Sequence, residues 1–136
     1  MTVPIMRSMA GPSVLVADDD ASVRGSVADI LRLEGYTVTE VDDGDVVVDL
    51  VGTEHFDALV LDNRIPRLDG MTVLATLENP PPAVLMSAHD VDSNDCRDLA
   101  VRGIAYLHKP VDPEHLLDAV ATAVGRARRQ IAVAPD

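Results

Sequence analysis

The chain has 136 residues, 47% hydrophobic and 25% charged, which reads as one folded domain rather than a disordered segment. Its 23 acidic against 11 basic residues give a net charge of -12, so a basic nucleic-acid footprint is missing and direct binding to DNA or RNA is not expected. The one cysteine, Cys96, excludes an internal disulfide framework, and no apolar run nears the ~20 residues of a membrane span, so a cytoplasmic chain without membrane insertion is expected.

Residues 1–11 carry Arg7 but no sustained apolar core, so they read as a mobile tail rather than a signal peptide. A single domain is expected over 12–130, with a short tail at 131–136. Its first apolar run, Val14-Leu15-Val16-Ala17, suits a strand buried on both faces and ends in Asp18-Asp19-Asp20. Asp20 or its neighbour caps a helix through Glu34, with Val23, Val27, Ile30 and Leu31 on one face and Gly35 as the stop. Tyr36 to Val41 alternates like a half-exposed edge strand. A second helix is expected over Asp45 to Val51, although Val46-Val47-Val48 favours a strand.

The run Ala58-Leu59-Val60-Leu61 delivers Asp62 to a strand end. Arg64, Pro66 and Asp69-Gly70 follow, and read as a rigid loop leading into a third helix over Gly70 to Glu78, with Met71, Leu74 and Leu77 inward. Asn79-Pro80-Pro81-Pro82 stops that helix. Ala83-Val84-Leu85-Met86 is the fourth strand and ends in Ser87-Ala88. A fourth helix is expected over Val91 to Arg102, with Cys96, Leu99 and Ala100 inward and Gly103 at its end. Ile104-Ala105-Tyr106-Leu107 is the fifth strand, followed by His108-Lys109-Pro110. The last helix opens with Asp112 as cap and Pro113 at its first position. Leu116, Leu117, Val120 and Val124 form its core face, and Arg126, Arg128 and Arg129 close it.

Strands recur at a spacing of one strand plus one helix, the pattern of a (βα)5 chain. Right-handed crossovers make an α/β doubly wound parallel sheet, flavodoxin-like with strand order 2-1-3-4-5, the economical solution. In such a sheet the strand ends share one edge. That edge gathers Asp18, Asp19, Asp62, Ser87 and Lys109 from distant parts of the chain. Carboxylates ~5 Å apart repel by roughly 3 kcal/mol at an effective dielectric of ~20, so a hard divalent cation such as Mg²⁺ suits the set. A carboxylate nucleophile, a metal, a lysine and a hydroxyl are the parts needed to form an aspartyl phosphate.

The joint order of Val-Leu-Val-Ala-Asp18-Asp19-Asp20, Leu-Val-Leu-Asp62 with Pro66 and Asp69-Gly70, Ser87-Ala88, and Tyr106 with Lys109-Pro110 resembles the receiver domain of bacterial two-component response regulators. The resemblance covers about Pro12 to Arg129. It implies a single-domain, chemotaxis-regulator-like switch in which Asp62 accepts a phosphoryl group from a sensor histidine kinase or a histidine phosphotransfer protein. It implies Mg²⁺ held by Asp18, Asp19, Asp62 and the backbone carbonyl of Arg64. It further implies that Lys109 and Ser87 contact the phosphoryl group, that Ser87 and Tyr106 act as the switch, and that the Lys109-Pro110 bond is cis. The implied readout is the helix 4–strand 5–helix 5 face, meeting a downstream protein target as a monomer or a phosphorylation-dependent dimer. The implied chemistry includes promotion of its own phosphoryl transfer and slow dephosphorylation.

Ser87 stands where threonine is frequent in that family, Val111 where phenylalanine is common, and Arg64 places a long cation two residues after Asp62. Few residues follow the last helix, so output through another protein, or a phosphorelay intermediate without its own output, is expected unless the chain is part of a longer one. A Mg²⁺-dependent aspartyl-phosphate phosphohydrolase fits less well, because that group resembles Asp-x-Asp after the first strand. A nucleotide-binding domain would want a Gly-rich loop where three aspartates stand. Asp20 reads as a helix cap, and His55, His89, His108 and His115 read as surface residues without metal-ligand spacing.

Overall fold

The computed structural model describes residues 11–65, 67, 69–89 and 93–133, with the backbone alone at 93–96 and 129–133. Five strands and five helices alternate: β1 Ser13–Ala17, α1 Ala21–Leu33, β2 Thr37–Val41, α2 Gly44–Thr53, β3 Ala58–Asp62, α3 Gly70–Thr76, β4 Ala83–Ser87, α4 Ser93–Val101, β5 Ala105–His108 and α5 Pro113–Val133. All pairings are parallel, in the order β2-β1-β3-β4-β5. This is the flavodoxin-like arrangement expected from the spacing of the strands. Parallel neighbours cannot be joined by tight turns, so each crossover carries a helix.

Side chains alternate across each strand and feed two cores. Val14, Val16, Ala58, Val60, Val84 and Met86 meet Val27 and Leu31 of α1 and Leu116 and Val120 of α5. Leu15, Ala17, Leu59, Leu61, Ala83 and Leu85 meet Val47 of α2, Val73 and Leu74 of α3 and Leu99 of α4. Both faces of the central strands are therefore dry, which is why their sequences read as unbroken apolar runs. β2 lies at the edge and is half-exposed, as its alternation implied.

Three helix termini carry caps that the sequence announces. Asp20 accepts from Ser22 and Val23 N–H, Asp69 from Thr72 N–H, and Asp112 from Glu114 and His115 N–H. Asp43 caps α2 by accepting from Asp45 N–H. That cap, the core contact of Val47 and the need for a crossover outweigh the strand preference of Val46-Val47-Val48.

Several boundaries differ from expectation. α3 stops at Thr76 rather than Glu78, and Val73, which the sequence reading did not place inward, is fully buried. Ala100 is exposed rather than inward, because the short α4 presents Leu99 alone to the core among its described side chains. α5 continues through Arg128 to Val133, into the stretch expected to be a tail. Arg126 and Arg128 lie within the helix and reach out to Gly103 and Asp57 instead of ending it, and the side chain of Arg129 lies outside the described residues. The N-terminal ten residues, Pro66, and the side chain of Cys96 lie outside the described residues. Among the described residues no helix is long and apolar enough to cross a membrane.

Candidate functional site

Parity along the strands decides which side chains meet at the carboxyl edge. Asp18 continues the row of Val14 and Val16, and Asp62 continues the row of Ala58 and Val60, so both lean toward the α1/α5 side. β1 and β3 are paired neighbours with Ala17 opposite Leu61, which brings the two aspartates side by side. Asp18 is fully buried and Asp62 is 6% exposed. Asp19, one residue on, is exposed. Carboxylate oxygens of Asp18, Asp19 and Asp62 all lie within 4.8 Å of one another.

A single ammonium answers this cluster. Lys109 Nζ donates to Asp18 Oδ2 at 2.7 Å and lies 3.2 Å from Asp62 Oδ2. The Lys109-Pro110 bond is cis, and Lys109 N–H donates to the Ser87 carbonyl at 2.8 Å. Asp18 also accepts from Asp20 N–H at 2.9 Å, and its own N–H donates to the Val41 carbonyl.

The electrostatics follow from burial and crowding. Burial pushes the Asp62 carboxyl above the ordinary aspartate range, and the Asp18 charge pushes it further; Lys109 and the Arg64 backbone N–H pull the other way without winning. Burial alone would lower the Lys109 ammonium. The hydrogen bond to Asp18 and the charges of Asp62 and Asp18 outweigh it, so its pKa is raised. Three carboxylates with one ammonium leave the site anionic. A donor set of oxygens alone, with part of it open to solvent at Asp19, fits a hard divalent cation that keeps some water.

Ser87 and Tyr106 sit on the opposite, α2/α3/α4 side. Ser87 follows the row of Ala83 and Leu85, and Tyr106 packs on the same core from β5. Both converge on one backbone residue. His89 N–H donates to Ser87 Oγ at 3.1 Å, and the Tyr106 hydroxyl donates to the His89 carbonyl. Ser87 is 3% exposed, whereas Tyr106 is half-buried. The four histidines are exposed at the surface, and His55 pairs with Asp57 at 3.2 Å.

The sequence reading gave four neighbours no role at the site. Arg24 donates to the Asp18 carbonyl at 2.9 Å while pairing with Glu40 at 3.4 Å. Asn63 sits directly after Asp62, with a buried Oδ1 that accepts no hydrogen bond. A Cβ on Gly70 would lie 3.1 Å from the Asp62 carbonyl and 2.9 Å from the Leu85 side chain, so the Asp-Gly turn is a close approach to the aspartate strand as well as a helix start. Arg67 pairs with Asp43 across the sheet edge. Of these only Gly70 carried a local signal; the arginines are isolated in sequence from what they touch.

The profile of the response regulator receiver domain family matches residues 14–121. The chain belongs to that family. Response regulator MprA of Mycobacterium avium is 35% identical over 118 residues, covering 85% of this chain and 52% of that protein. Response regulator MprA of Mycolicibacterium vanbaalenii is 37% identical over 107 residues, covering 76% of this chain and 46% of that protein. The chain thus spans about half the length of the curated relatives it matches. Among solved structures, the receiver domain of the Francisella response regulator 1452 superposes with a TM-score of 0.78 at 31% identity, covering 85% of this chain and 98% of that one. The receiver domain of the sensor histidine kinase PA1611 from Pseudomonas aeruginosa, which has a magnesium ion coordinated in its active site cleft, matches with a TM-score of 0.71 at 27% identity, covering 85% and 99%. This receiver domain is therefore a module of two-component signalling, a signalling switch by family, and the phosphohydrolase alternative gains no support.

Proposed function

We propose that Asp62 is the phosphoacceptor of this receiver domain and that the switch is driven by its phosphorylation. The observation that carries the reading is the convergence of the Asp18, Asp19 and Asp62 oxygens within 4.8 Å, with Lys109 bridging Asp18 and Asp62. The donor is a phosphohistidine on a sensor histidine kinase or a histidine phosphotransfer protein, or a small acyl phosphate. A carboxylate oxygen of Asp62 attacks phosphorus as the P–N bond breaks. The electron pair leaves on the imidazole nitrogen, which takes a proton from solvent. Lys109 neutralises a phosphoryl oxygen, and Ser87 Oγ donates to another after giving up its acceptor role toward His89 N–H.

Asp18, Asp19 and Asp62, with the Arg64 carbonyl, are the residues to hold Mg²⁺. When bound, that ion neutralises carboxylates and phosphoryl oxygens together. Arg64 is exposed beside the site, where its charge bears on water attack during slow dephosphorylation. Release of His89 by Ser87 frees the carbonyl partner of Tyr106, which couples the acceptor to β5 and to the α4–β5–α5 face that meets a downstream protein. Differential stabilisation of the active state by about 5.5 kcal/mol is what a shift from ~1% to ~99% active requires. Residues 12–130 form the receiver unit, acting in the cytoplasm as a phosphorylation switch or a phosphorelay intermediate, monomeric or dimerising on phosphorylation.

Acetyl phosphate with Mg²⁺ adds one phosphate to the protein, read by intact mass. Asp62→Asn abolishes the addition. Uptake by that variant at the wild-type rate removes Asp62 as the acceptor.

A further inference from the structure

The loop between β3 and α3 is held at three places. At its start, the Arg64 backbone N–H faces the Asp62 carboxylate and pulls its pKa down. At its end, Gly70 N–H donates to the Asn63 carbonyl at 3.2 Å and Gly70 closes on the Asp62 backbone. Between them, Arg67 reaches away from the loop to Asp43.

Asp43 is unusual for a residue after an edge strand: it is 8% exposed. Its Oδ1 accepts from Asp45 N–H at 2.7 Å and so caps α2, leaving Oδ2 for the Arg67 guanidinium. β1 lies between β2 and β3. The ion pair therefore joins the loops on either side of the strand end that carries Asp18 and Asp19. Val41, two residues before Asp43, accepts from Asp18 N–H at 3.1 Å. Arg67 also adopts φ 72, a left-handed conformation that a non-glycine residue takes up at a cost. An arginine whose side chain is 67% exposed contributes little to global stability through an ion pair. The pair is thus poorly explained as a device for holding the fold together, and well placed as one for holding the loop.

We infer that the Asp43–Arg67 ion pair is a positioning element for the metal and phosphoryl site. It fixes the loop from which Arg64 presents its backbone to Asp62, and it ties that loop to the segment that anchors Asp18. The inference rests on the proposed reading of Asp18, Asp19 and Asp62 as a Mg²⁺ and phosphoryl site, and it assigns Asp43 and Arg67 no contact with either group.

The test compares Asp43→Asn, Arg67→Ala, Arg67→Lys and the double variant Asp43→Asn/Arg67→Ala in the full chain. Asparagine retains the capping oxygen for α2 while removing the charge. Mg²⁺ affinity is measured by titration calorimetry on the unphosphorylated protein, and the acetyl phosphate reaction by intact mass. Melting in EDTA shows that each variant is folded. Both single variants weaken Mg²⁺ binding by about three- to tenfold, below the usual range for groups that touch a metal ligand directly. The double variant is no worse than the poorer single one, because one interaction is lost in each case. Arg67→Lys retains most of the affinity.

Long-range charge alone makes the opposite prediction for one arm. Removing a cation near an anionic metal site would strengthen Mg²⁺ binding. Stronger binding by Arg67→Ala, or wild-type affinity in both single variants, overturns the inference while leaving the proposed function standing. A wild-type chain that binds no Mg²⁺ and takes up no phosphate overturns both.

Discussion

Asp62→Asn removes one charge from a cluster that repels itself, so it stabilises the metal-free protein. The oxygens of Asp18 and Asp19 lie within 4.8 Å of an Asp62 oxygen. At an effective dielectric of ~20, each such pair repels by about 3.5 kcal/mol or more. Lys109 Nζ, 3.2 Å from Asp62 Oδ2, returns about 5 kcal/mol on the same scale. The balance is a repulsion of roughly 2 kcal/mol, and burial of the carboxylate adds to it. Asparagine gives up the attraction of the Arg64 backbone N–H for a charged carboxylate, which costs about half of what is gained, leaving about 1 kcal/mol.

For a domain of this size that is a rise of about 3–6 °C in melting temperature, measured by circular dichroism in EDTA near pH 7. The effect has a pH signature. The Asp62 pKa is raised in the fold above its ordinary 3.8, so the stability this group contributes is full below about that pH and is lost as pH rises through the folded value. The advantage of Asp62→Asn is therefore small in acid and grows above it. Mg²⁺ stabilises the wild type by mass action and stabilises the variant less, so the gap narrows or reverses on adding metal. A variant that melts at or below the wild type in EDTA at pH 7 refutes the electrostatic account of the site.

Lys109→Met removes the sole ammonium on the cluster; it lowers the EDTA melting temperature, and it tightens Mg²⁺ binding in calorimetry because a competing cation is gone, whereas phosphate uptake falls. Gly70→Ala forces a Cβ to within 3.1 Å of the Asp62 carbonyl and 2.9 Å of Leu85; it costs about 1–3 kcal/mol in urea denaturation and perturbs phosphorylation as well. Tyr36 is raised above its ordinary 10.0 by burial and by the Glu34 charge. In Tyr106→Phe, which leaves Tyr36 as the one tyrosine of the chain's two, the phenolate absorbance therefore rises with a midpoint above that of a urea-unfolded sample. The folded state keeps this proton longer, so stability falls as pH climbs past about 10.

The apolar runs, the helix caps and the aspartates at strand ends were legible because each is local. A strand buried on both faces writes an unbroken run such as Leu59-Val60-Leu61, and an N-cap such as Asp20 or Asp112 acts on amide groups within three residues. From those alone the sheet order followed, since parallel strands with helical crossovers have few arrangements. Ends of helices were read less well. α5 runs past its arginines and α3 stops early, because termination is decided by what the last turn packs against.

Tertiary structure alone decided the pairings between remote residues. Arg24 on the Asp18 carbonyl, Arg67 on Asp43 and Arg126 on the Gly103 carbonyl at 2.6 Å join groups whose nearness depends on strand register and loop path. It also decided how the shared edge divides: Asp18, Asp62 and Lys109 meet on the α1/α5 side, while Ser87 and Tyr106 meet through His89 on the other. Residue type announces which chemistry is present, because a carboxylate or an ammonium is what it is in any fold. Which charge answers which is settled only when the chain closes, since electrostatic and hydrogen-bond energies depend on distances of a few ångströms that sequence separation does not encode.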